Sequence, residues 1–512
     1  SPLNASPENL ELSSSPVEAS VCEWDGTPGC FYIEIKSDYI EIKSEELVRA
    51  GITPVATPVD LVADGRMSIE DGRPAYEGNY TISSVTPEEE AAQAWTSEGA
   101  FAFGNSRLDL TEARFSYGPQ ERPVSLDGTM SIVLDAPYRF ELKATAKQID
   151  LDRISGRGPQ SPLSAVEAGG LVLETLQSLP HPPFDGTVSL TVPGVISGGG
   201  LIQNLLLDAE RLASGWRLER LSAQLPGRSE FLARGDLEIA PRAAFRGSFA
   251  VSVAQPNLFA DWWRRGEASS AAGLPFALDA RISATEEEVA LTQMSFEIGD
   301  APGRGTFSYR PAGEGSARVR VDVDAERLDA DQVGLLARLF LNTAGEGGKP
   351  VGSGAAEISA RLFAQSVAIG ALEARNATLI ASYADDGLDI EALSVGDLAG
   401  AKVEASGTIS DLSSVPTGDL SATVDADRLE GVTGLLARIW PDARFLQAFQ
   451  ARAQSLAPTR LALTFHGEAD GTETRASIKA SGEAGGTAID LSGGLEGRLD
   501  TWREAQVDMT GG

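Results

Sequence analysis

The chain has 512 residues, of which 74 are acidic and 42 are basic, giving a formal net charge of −32. Binding to a phosphate backbone needs a basic stripe, and no segment supplies one, so nucleic acid is excluded as a partner. The 54 glycines, the aromatic content of 6% and the alternation of Val, Ile, Leu, Thr and Ser with charged residues are typical of an all-β chain with one face in water.

The N-terminal stretch Ser1 to Ser20 is rich in Ser, Pro, Asn and Glu, which predicts a disordered segment or a linker. Cys22 and Cys30 follow, with Asp-Gly and Pro-Gly turn formers between them, and the strand-like Phe31 to Lys43 comes next. A disulfide across a hairpin loop is the favoured interpretation; two free thiols or half of a metal site are the alternatives. A disulfide would favour a periplasmic or extracellular setting. No stretch reaches the run of about twenty apolar residues that spans a membrane.

One strand-and-turn pattern recurs along most of the chain. Its clearest copies, Val319 to Phe340 and Leu420 to Trp440, are an apolar-alternating strand, then Asp-Ala-acid-Arg-Leu, then a short amphipathic stretch. Looser copies are Tyr138 to Ile154 and Gly247 to Trp263. Because side chains two apart on a strand share a face, every copy presents one apolar face in the same place. The residues that we predict to line an apolar groove are Phe140 and Leu142; Phe249, Val251 and Val253; Val319, Val321 and Val323; and Leu420, Ala422 and Val424.

A glycine followed by a polar and an apolar residue precedes each of these strands. Such glycines favour a bend, a bulge or a close crossing of two strands. They are Gly128, Gly235, Gly305 and Gly407, and hairpin-like segments lie upstream of them at Ser106 to Tyr117, Gly215 to Leu225, Val289 to Ile298 and Gly387 to Val395. A looser copy at Gly493 is unfinished, so we expect the sequence to be a piece of a longer protein.

The predicted fold class is all-β dominated, with a long, twisted and curled antiparallel sheet and short helices between repeats of roughly 70 to 110 residues. Helices are predicted at Ser161 to Leu179, at Leu435 to Ala453 and around Glu88 to Trp95. The predicted divisions are 1–20 as a disordered segment or linker, 21–105 as an N-terminal β region, 106–180 as a first repeat with a helix, 181–273, 274–353 and 354–457 as three further repeats, and 458–512 as the start of a truncated fifth.

The sequence offers little material for catalysis. Its two histidines are His181, in a proline-rich connector, and His466, at the end of a strand-like segment, and no serine or cysteine lies in a nucleophile context. The glycine-rich Ser197 to Gly200 and Gly299 to Gly305 lack the Lys-Ser/Thr ending of a phosphate loop, so they are predicted to be turns. We therefore expect a protein that is not an enzyme and has no cofactor.

An acidic cluster, Asp322, Asp324, Asp329 and Asp331, has the ligand type that calcium prefers. However, Asp322 and Asp324 alternate with the apolar valines and should face water, and acids at a helix start are favoured by the helix dipole. The prediction is a solvated strand face and a helix start, with no metal site.

From Gly215 to Gly227 the chain reads Gly-Trp-Arg-Leu-Glu-Arg-Leu-Ser-Ala-Gln-Leu-Pro-Gly, followed by Gly235-Asp-Leu, a strand and an aliphatic-rich turn of helix. Over roughly Ser106 to the end, this pattern resembles the AsmA-like family of Gram-negative envelope proteins. The resemblance implies a repeating β-groove in the periplasm, anchored in the inner membrane by a helix that we expect outside this chain. Relatives of that family include TamB-like proteins and chorein-type lipid bridges.

The function expected from the resemblance and the apolar face is transport of phospholipids between the inner and outer membranes, which contributes to outer-membrane biogenesis. The expected partners are phospholipid or another acyl-chain lipid and, at the ends of the protein, the two membranes or membrane proteins. The alternative is a non-enzymatic envelope scaffold, in which pairs of sheets form closed sandwiches and hold a partner during outer-membrane assembly. An enzyme on a β-solenoid, such as a polysaccharide lyase, is disfavoured because its turns would recur every twenty to thirty residues or so.

Overall fold

The fold is dominated by strands, as the alternating sequence predicts. A computed structural model describes residues 18–19, 35–36, 40–42, 59–70, 73–84, 94–118, 123–155, 163–178, 184–212, 215–239, 242–264, 273–312, 316–340, 356–370, 372–412, 414–439, 453, 455–470, 473–497 and 508–511. About 72% of the structure is strand and 11% is helix, and the strands form open sheet that does not close into a barrel. The predicted all-β fold with short helices is confirmed.

The chain divides into two compact units. The N-terminal unit is Ser1–Val253 with Leu258–Ala268, and the C-terminal unit is Ala254–Asn257 with Ser269–Gly512. Strands of the N-terminal unit are β1 Glu18–Ala19, β2 Ile35–Lys36, β3 Ile40–Ile42, β4 Val59–Glu70, β5 Arg73–Ser84, β6 Trp95–Gly104, β7 Arg107–Tyr117, β8 Val124–Val133, β9 Arg139–Thr145, β10 Ile149–Asp150, β11 Asp185–Ser197, β12 Gly200–Leu212, β13 Gly215–Leu225, β14 Ser229–Glu238 and β15 Ala244–Val253. Its helices are α1 Leu151–Ile154, α2 Ala165–Ser178 and most of α3 Pro256–Arg264.

The C-terminal unit continues the same alternation of strands with short helices. Its strands are β16 Phe276–Thr285, β17 Val289–Ile298, β18 Ala301–Arg310, β19 Ala317–Asp329, β20 Ala356–Ile369, β21 Leu372–Ala384, β22 Gly387–Leu398, β23 Ala401–Ser410, β24 Thr417–Ala426, β25 Thr459–Asp470, β26 Glu473–Ala484, β27 Thr487–Gly497 and β28 Asp508–Gly511. Its helices are α4 Ala330–Phe340 and α5 Glu430–Ile439. Both recurring motifs with the Leu-Leu-Ala-Arg ending therefore run from a strand into a helix, as predicted.

The three predicted helices agree with the structure to different extents. The segment Ser161 to Leu179 forms α2, whereas the one predicted from Leu435 begins earlier, at Glu430, and residues 440–452 lie outside the described part of the chain. Of the segment around Glu88 to Trp95, Trp95 begins β6 and most of the rest lies outside the described residues.

The sheet of each unit is mixed, which corrects the prediction of a purely antiparallel sheet. Most strands pair antiparallel with their sequence neighbours, but β11 pairs in parallel with β9 and β10, and β20 pairs in parallel with β19. A parallel pair needs a crossover that returns the chain to the starting edge, and helices lie in both connections: α1 and α2 before β11, and α4 before β20.

Each of the four hairpin-like segments is a single strand with a β-bulge, which corrects a second prediction. The segments form β7, β13, β17 and β22. In each strand two residues face one residue of the next strand: Thr111 and Glu112, Glu219 and Arg220, Thr292 and Gln293, and Glu391 and Ala392. The bulge interrupts the apolar alternation, and in sequence this interruption looks like a turn.

The four motif glycines mark close crossings of strands beside these bulges, which is one of the roles predicted for them. A Cβ atom at Gly235 would lie 2.3 Å from the carbonyl oxygen of Arg246, and one at Gly407 would lie 2.1 Å from that of Asp419. The equivalent distances are 2.2 Å at Gly128 and 2.1 Å at Gly305. Only glycine lets the neighbouring backbone approach so closely.

Each sheet has two rims, at the two ends of its strands. We call the rim at which the last strand of each repeat runs into its helix, near Thr145, Val253, Asp329 and Ala426, the helix rim, and the opposite one the open rim. Buried clusters lie at the helix rim: Ala146 with Val192 and Val195; Ala325 with Leu328 and Ala364; and Ala401 with Val424, Ala426, Leu429 and Ala453. Small side chains there let the helices pack closely on the strand ends.

At the helix rim of the N-terminal unit, one buried carboxylate holds α1 to the β11–β12 turn. Asp152, 6% exposed, accepts hydrogen bonds from the backbone amides of Leu163, Gly198 and Gly199 at 2.8 to 3.0 Å. The Trp262 indole of α3 donates to the carbonyl of Ser197 at 2.8 Å. The glycine-rich Ser197 to Gly200 is thus a turn, as predicted, and its amides serve the protein's own carboxylate.

Helix α2 reaches from one rim towards the other. Leu163, just before it, is held by Asp152 at the helix rim, and Gln177, near its end, donates to the carbonyl of Ile239 just after β14, at the open rim. In the C-terminal unit, Asp329 caps α4 by accepting from the amides of Asp331 and Gln332. This cap explains why acids gather at that helix start.

Candidate functional site

The strand register of the C-terminal unit builds a continuous apolar face. One row of directly paired residues crosses twelve strands from β16 to β27, a distance of about 50 Å at the usual strand spacing. Its members are all apolar or glycine: Ile282, Leu291, Phe307, Val321, Ala360, Ala381, Ile390, Gly407, Leu420, Phe465, Ile478 and Gly493. The parallel join between β19 and β20 does not interrupt it.

The N-terminal unit has an equivalent face. A row from β4 to β15 joins eleven residues, again all apolar or glycine, across the parallel join between β9 and β11. They are Gly65, Gly78, Phe101, Leu110, Met130, Leu142, Val188, Ala209, Leu218, Gly235 and Gly247. Each unit therefore carries one uninterrupted apolar row of its own.

The opposite face is charged and hydrated. Ion pairs cross it between neighbouring strands, as between Arg318 and Glu357 at 2.6 Å and between Arg220 and Asp208 at 2.7 Å. Their side chains are more than a third exposed, so each pair adds little stability. These ion pairs make the face polar, so it favours contact with water. The two faces of the sheet therefore differ sharply in polarity.

The acidic cluster lies on this wet face and at the start of α4. Asp324 pairs with Arg304 at 2.5 Å, Asp322 lies 4.0 Å from Arg361, and Asp329 caps the helix. In the described part of the chain, no three His, Cys, Asp or Glu side chains lie close enough to hold a metal ion.

The predicted groove residues all lie in strands that present this apolar face. Phe140, Val253, Val319 and Val424 are buried, with 1 to 8% exposure. Half-buried members are Leu142, Phe249, Val251, Val321, Val323, Leu420 and Ala422. The two cysteines of the predicted disulfide, Cys22 and Cys30, lie outside the described residues.

Half-burial distinguishes this face from the interior of a sandwich. In a sandwich, a second sheet packs about 10 Å away and the inward side chains are fully buried. Here Val321, Ala360 and Leu420 are only half-buried, and Ile478 and Leu491 are 37% and 39% exposed. A contiguous apolar surface of this kind is a candidate binding surface.

Sequence reasoning missed two polar residues on the apolar side of the N-terminal unit, Arg211 and Trp216. Arg211 occupies the third place of the alternation Leu207, Ala209, Arg211 in β12, and it pairs with Trp216 of β13. A cation in an apolar register was the signal that could have found it. The bulges hide this register in the sequence, because they change which residues of β13 lie on the same face as Arg211.

His466 lies on the wet face of β25 between two carboxylates. Its Nδ1 is 2.7 Å from Asp419 Oδ1 and its Nε2 is 2.9 Å from Glu468 Oε1. The hydrogen bonds to Glu468 and then to Asp419 raise the pKa of His466 above its ordinary value. The protonated ring can donate to both carboxylates, so this histidine has a local structural role; His181 lies outside the described residues.

We expect His466→Gln to lower stability at acidic pH and to change it little at alkaline pH. A raised folded-state pKa means that the stabilisation is fully present below the unfolded pKa of about 6.5 and is lost as pH rises through the folded value. Urea midpoints of both proteins at about pH 5.5 and 8.5 measure this difference. The His466 resonance can be assigned by nuclear magnetic resonance, because it is missing from the spectrum of the variant. If that resonance titrates in the wild type at or below the ordinary histidine pKa, the prediction is wrong.

No protein-family model, curated protein or solved structure matches the chain. No helix in the described ranges has the length and apolar character needed to cross a bilayer. The functional inference therefore rests on the two apolar faces and on the chemistry around them.

Proposed function

We propose that the chain is a periplasmic, bridge-like lipid-transport protein that carries phospholipids between the inner and outer membranes and so contributes to outer-membrane biogenesis. In this proposal the acyl chains lie on the apolar face of each unit, and a segment outside this chain anchors the protein in the inner membrane. The location and the anchor rest on the resemblance to AsmA-like proteins. No catalytic chemistry is involved.

The observation that carries the proposal is the unbroken, half-exposed apolar row in each unit. Exposing an acyl chain to water costs about 0.8 kcal/mol per CH₂ group, so moving a phospholipid through water costs tens of kcal/mol. A carrier must therefore supply apolar contact without a gap. Rows in which every member is apolar or glycine meet that requirement within each unit.

The direct test measures two quantities for the purified chain: the lipid that is bound to it and the rate at which it transfers lipid between vesicles. We expect native mass spectrometry to detect co-purified phospholipid, and transfer of fluorescent phospholipid between donor and acceptor vesicles to run several-fold above the protein-free rate. A chain with no bound lipid and no transfer activity would rule the proposal out and favour the alternative of a non-enzymatic scaffold that holds a protein partner.

A further inference from the structure

The outermost apolar row at the open rim of the N-terminal unit differs in composition from the deeper rows. It lies one residue from the strand end in most strands and is rich in aromatic residues. Its members in register order are Tyr76, Phe103, Leu108, Ile132, Phe140, Gly186, Arg211, Trp216, Leu237 and Phe245. We call it the rim row. Arg211 is its one charged member.

The rim row also holds hydrogen-bond donors without acceptors. Within the described residues, four buried side-chain polar atoms have no partner: Tyr76 Oη, Arg211 Nε, Trp216 Nε1 and, away from this row, Trp95 Nε1. Burial, and then the charge of Asp64, raises the pKa of Tyr76, so its hydroxyl stays protonated and can donate. A buried donor without an acceptor is costly, and three in one row call for acceptors supplied from outside the chain.

Arg211 and Trp216 form the most defined part of this row. They are direct register partners on β12 and β13, and the Arg211 Cζ lies 6.0 Å from the centre of the Trp216 ring. The guanidinium makes one bond, from its Nη1 to the carbonyl of Gly215 at 2.9 Å, which fixes its orientation. Its Nε and the indole N–H remain unused, and the charge of an arginine is permanent.

The neighbouring strand contributes a glycine beside this pair, so it adds no side chain of its own to the row there. Gly186 stands between Phe140 and Arg211, and a Cβ atom there would lie 2.2 Å from the Phe140 ring. The Phe140 ring thus occupies the space above Gly186. The cation is therefore flanked by aromatic rings on a surface whose deeper rows are apolar, an arrangement that suits a lipid with its tails inward and its head at the rim.

We propose that Arg211 and Trp216 bind the phosphate group of a diacyl phospholipid whose acyl chains lie on the deeper apolar rows of the N-terminal unit. The inference rests on the proposed function and adds a head-group anchor to it. Phosphate fits because its oxygens accept several hydrogen bonds at once and its charge complements the guanidinium. Aromatic residues suit the boundary between tails and head groups for the same reason that they gather at membrane interfaces.

The C-terminal unit has no equivalent cation among its described residues. Its outermost row at the open rim reads Tyr309, Val319, Ile358, Tyr383, Leu388, Ile409, Gly418, Gly467 and Ala476. The anchor thus belongs to the N-terminal unit, while both units share the apolar face.

The test measures the binding of three ligands to the delipidated full chain: dioleoyl phosphatidate, dioleoylglycerol and inorganic phosphate. Dioleoylglycerol has the same acyl chains as the phosphatidate but no phosphate. We expect Arg211→Gln to weaken phosphatidate binding about tenfold and Trp216→Phe to weaken it a few-fold, with dioleoylglycerol unaffected. Arg211→Lys should restore part of the affinity because it keeps the charge. Arg217→Gln is the matched control, because Arg217 is on the wet face of β13 and pairs with Asp236.

Each outcome bears on one proposal or both. Equal phosphatidate binding by the wild type and Arg211→Gln would overturn the anchor while leaving lipid transport intact. Inorganic phosphate that binds as tightly as phosphatidate would show a site for a free anion and overturn the lipid assignment. A chain that binds neither lipid contradicts the proposed function and the anchor with it. Trp216→Phe keeps an aromatic side chain and removes the indole N–H, so a loss of affinity with an unchanged circular dichroism spectrum shows that the indole contributes to binding.

Discussion

Replacing Gly235 by alanine is expected to destabilise the N-terminal unit by about 3 kcal/mol. The new Cβ would lie 2.3 Å from the carbonyl oxygen of Arg246 and 2.5 Å from the Cα of Gly247, so β14 and β15 would have to separate. The φ of +153° at Gly235 adds strain, because side chains disfavour that backbone region. The urea midpoint, followed by far-ultraviolet circular dichroism, measures the loss.

The matched control is Gly170→Ala in α2 of the same unit. Nothing lies within 4 Å of the added methyl group there, and alanine is the better helix former. We therefore expect a gain of about 0.5 to 1 kcal/mol. If Gly235→Ala leaves the midpoint unchanged, or if both variants lose the same stability, the close crossing of strands is not what requires glycine.

Placing a charge at Val321 is expected to reduce phospholipid transfer at least tenfold while the C-terminal unit stays folded. Val321 stands in the middle of the apolar row, between Phe307 and Ala360, and is half-buried. A glutamate there interrupts the apolar contact that acyl chains need, yet its carboxylate can still reach water. We expect Val321→Glu to lower stability by about 1 to 2 kcal/mol, which is less than the penalty for an unpaired charge in a closed core.

Ser359→Glu is the matched control for this experiment. Ser359 lies on the adjacent strand β20, is exposed on the wet face and is the register partner of Arg320. The same charge on the opposite face should leave transfer and stability unchanged. Val321→Glu protein that transfers lipid at the wild-type rate would show that the face does not contact lipid, and outright unfolding would show that the face is a closed core.

Strand alternation and glycine position were enough to predict which side chains share a face and where two strands approach closely. The series Val319, Val321 and Val323 lies on the apolar side as its period of two requires, and the charges of Asp322 and Asp324 face water. These features are local, because each depends on a few consecutive residues. The helices after β19 and β24 followed for the same reason.

Features that depend on contacts between distant segments escaped prediction. The bulge at Glu219 and Arg220, like the other three, was mistaken for a turn. The parallel joins were missed because they depend on where the chain re-enters the sheet after a helix. Asp152 could not be recognised because its three amide donors include Gly198 and Gly199, far along the chain. The pairing of Arg211 with Trp216 was equally hidden, because it follows from register shifts on both sides of β13.

Pairing between sequence neighbours has a consequence for how the protein is made. From β20 to β27, each strand bonds to the strands directly before and after it, so most of this sheet can assemble hairpin by hairpin. Such local contacts favour rapid folding and allow the sheet to grow while the ribosome is still extending the chain. The joins between β19 and β20 and between β24 and β25 are different, because in each the two strands meet only after a long connection, through α4 or α5, has closed. We expect hydrogen exchange to divide the C-terminal unit into three cooperative blocks at these two joins, so that the strands of one block protect their amides independently of those in the next.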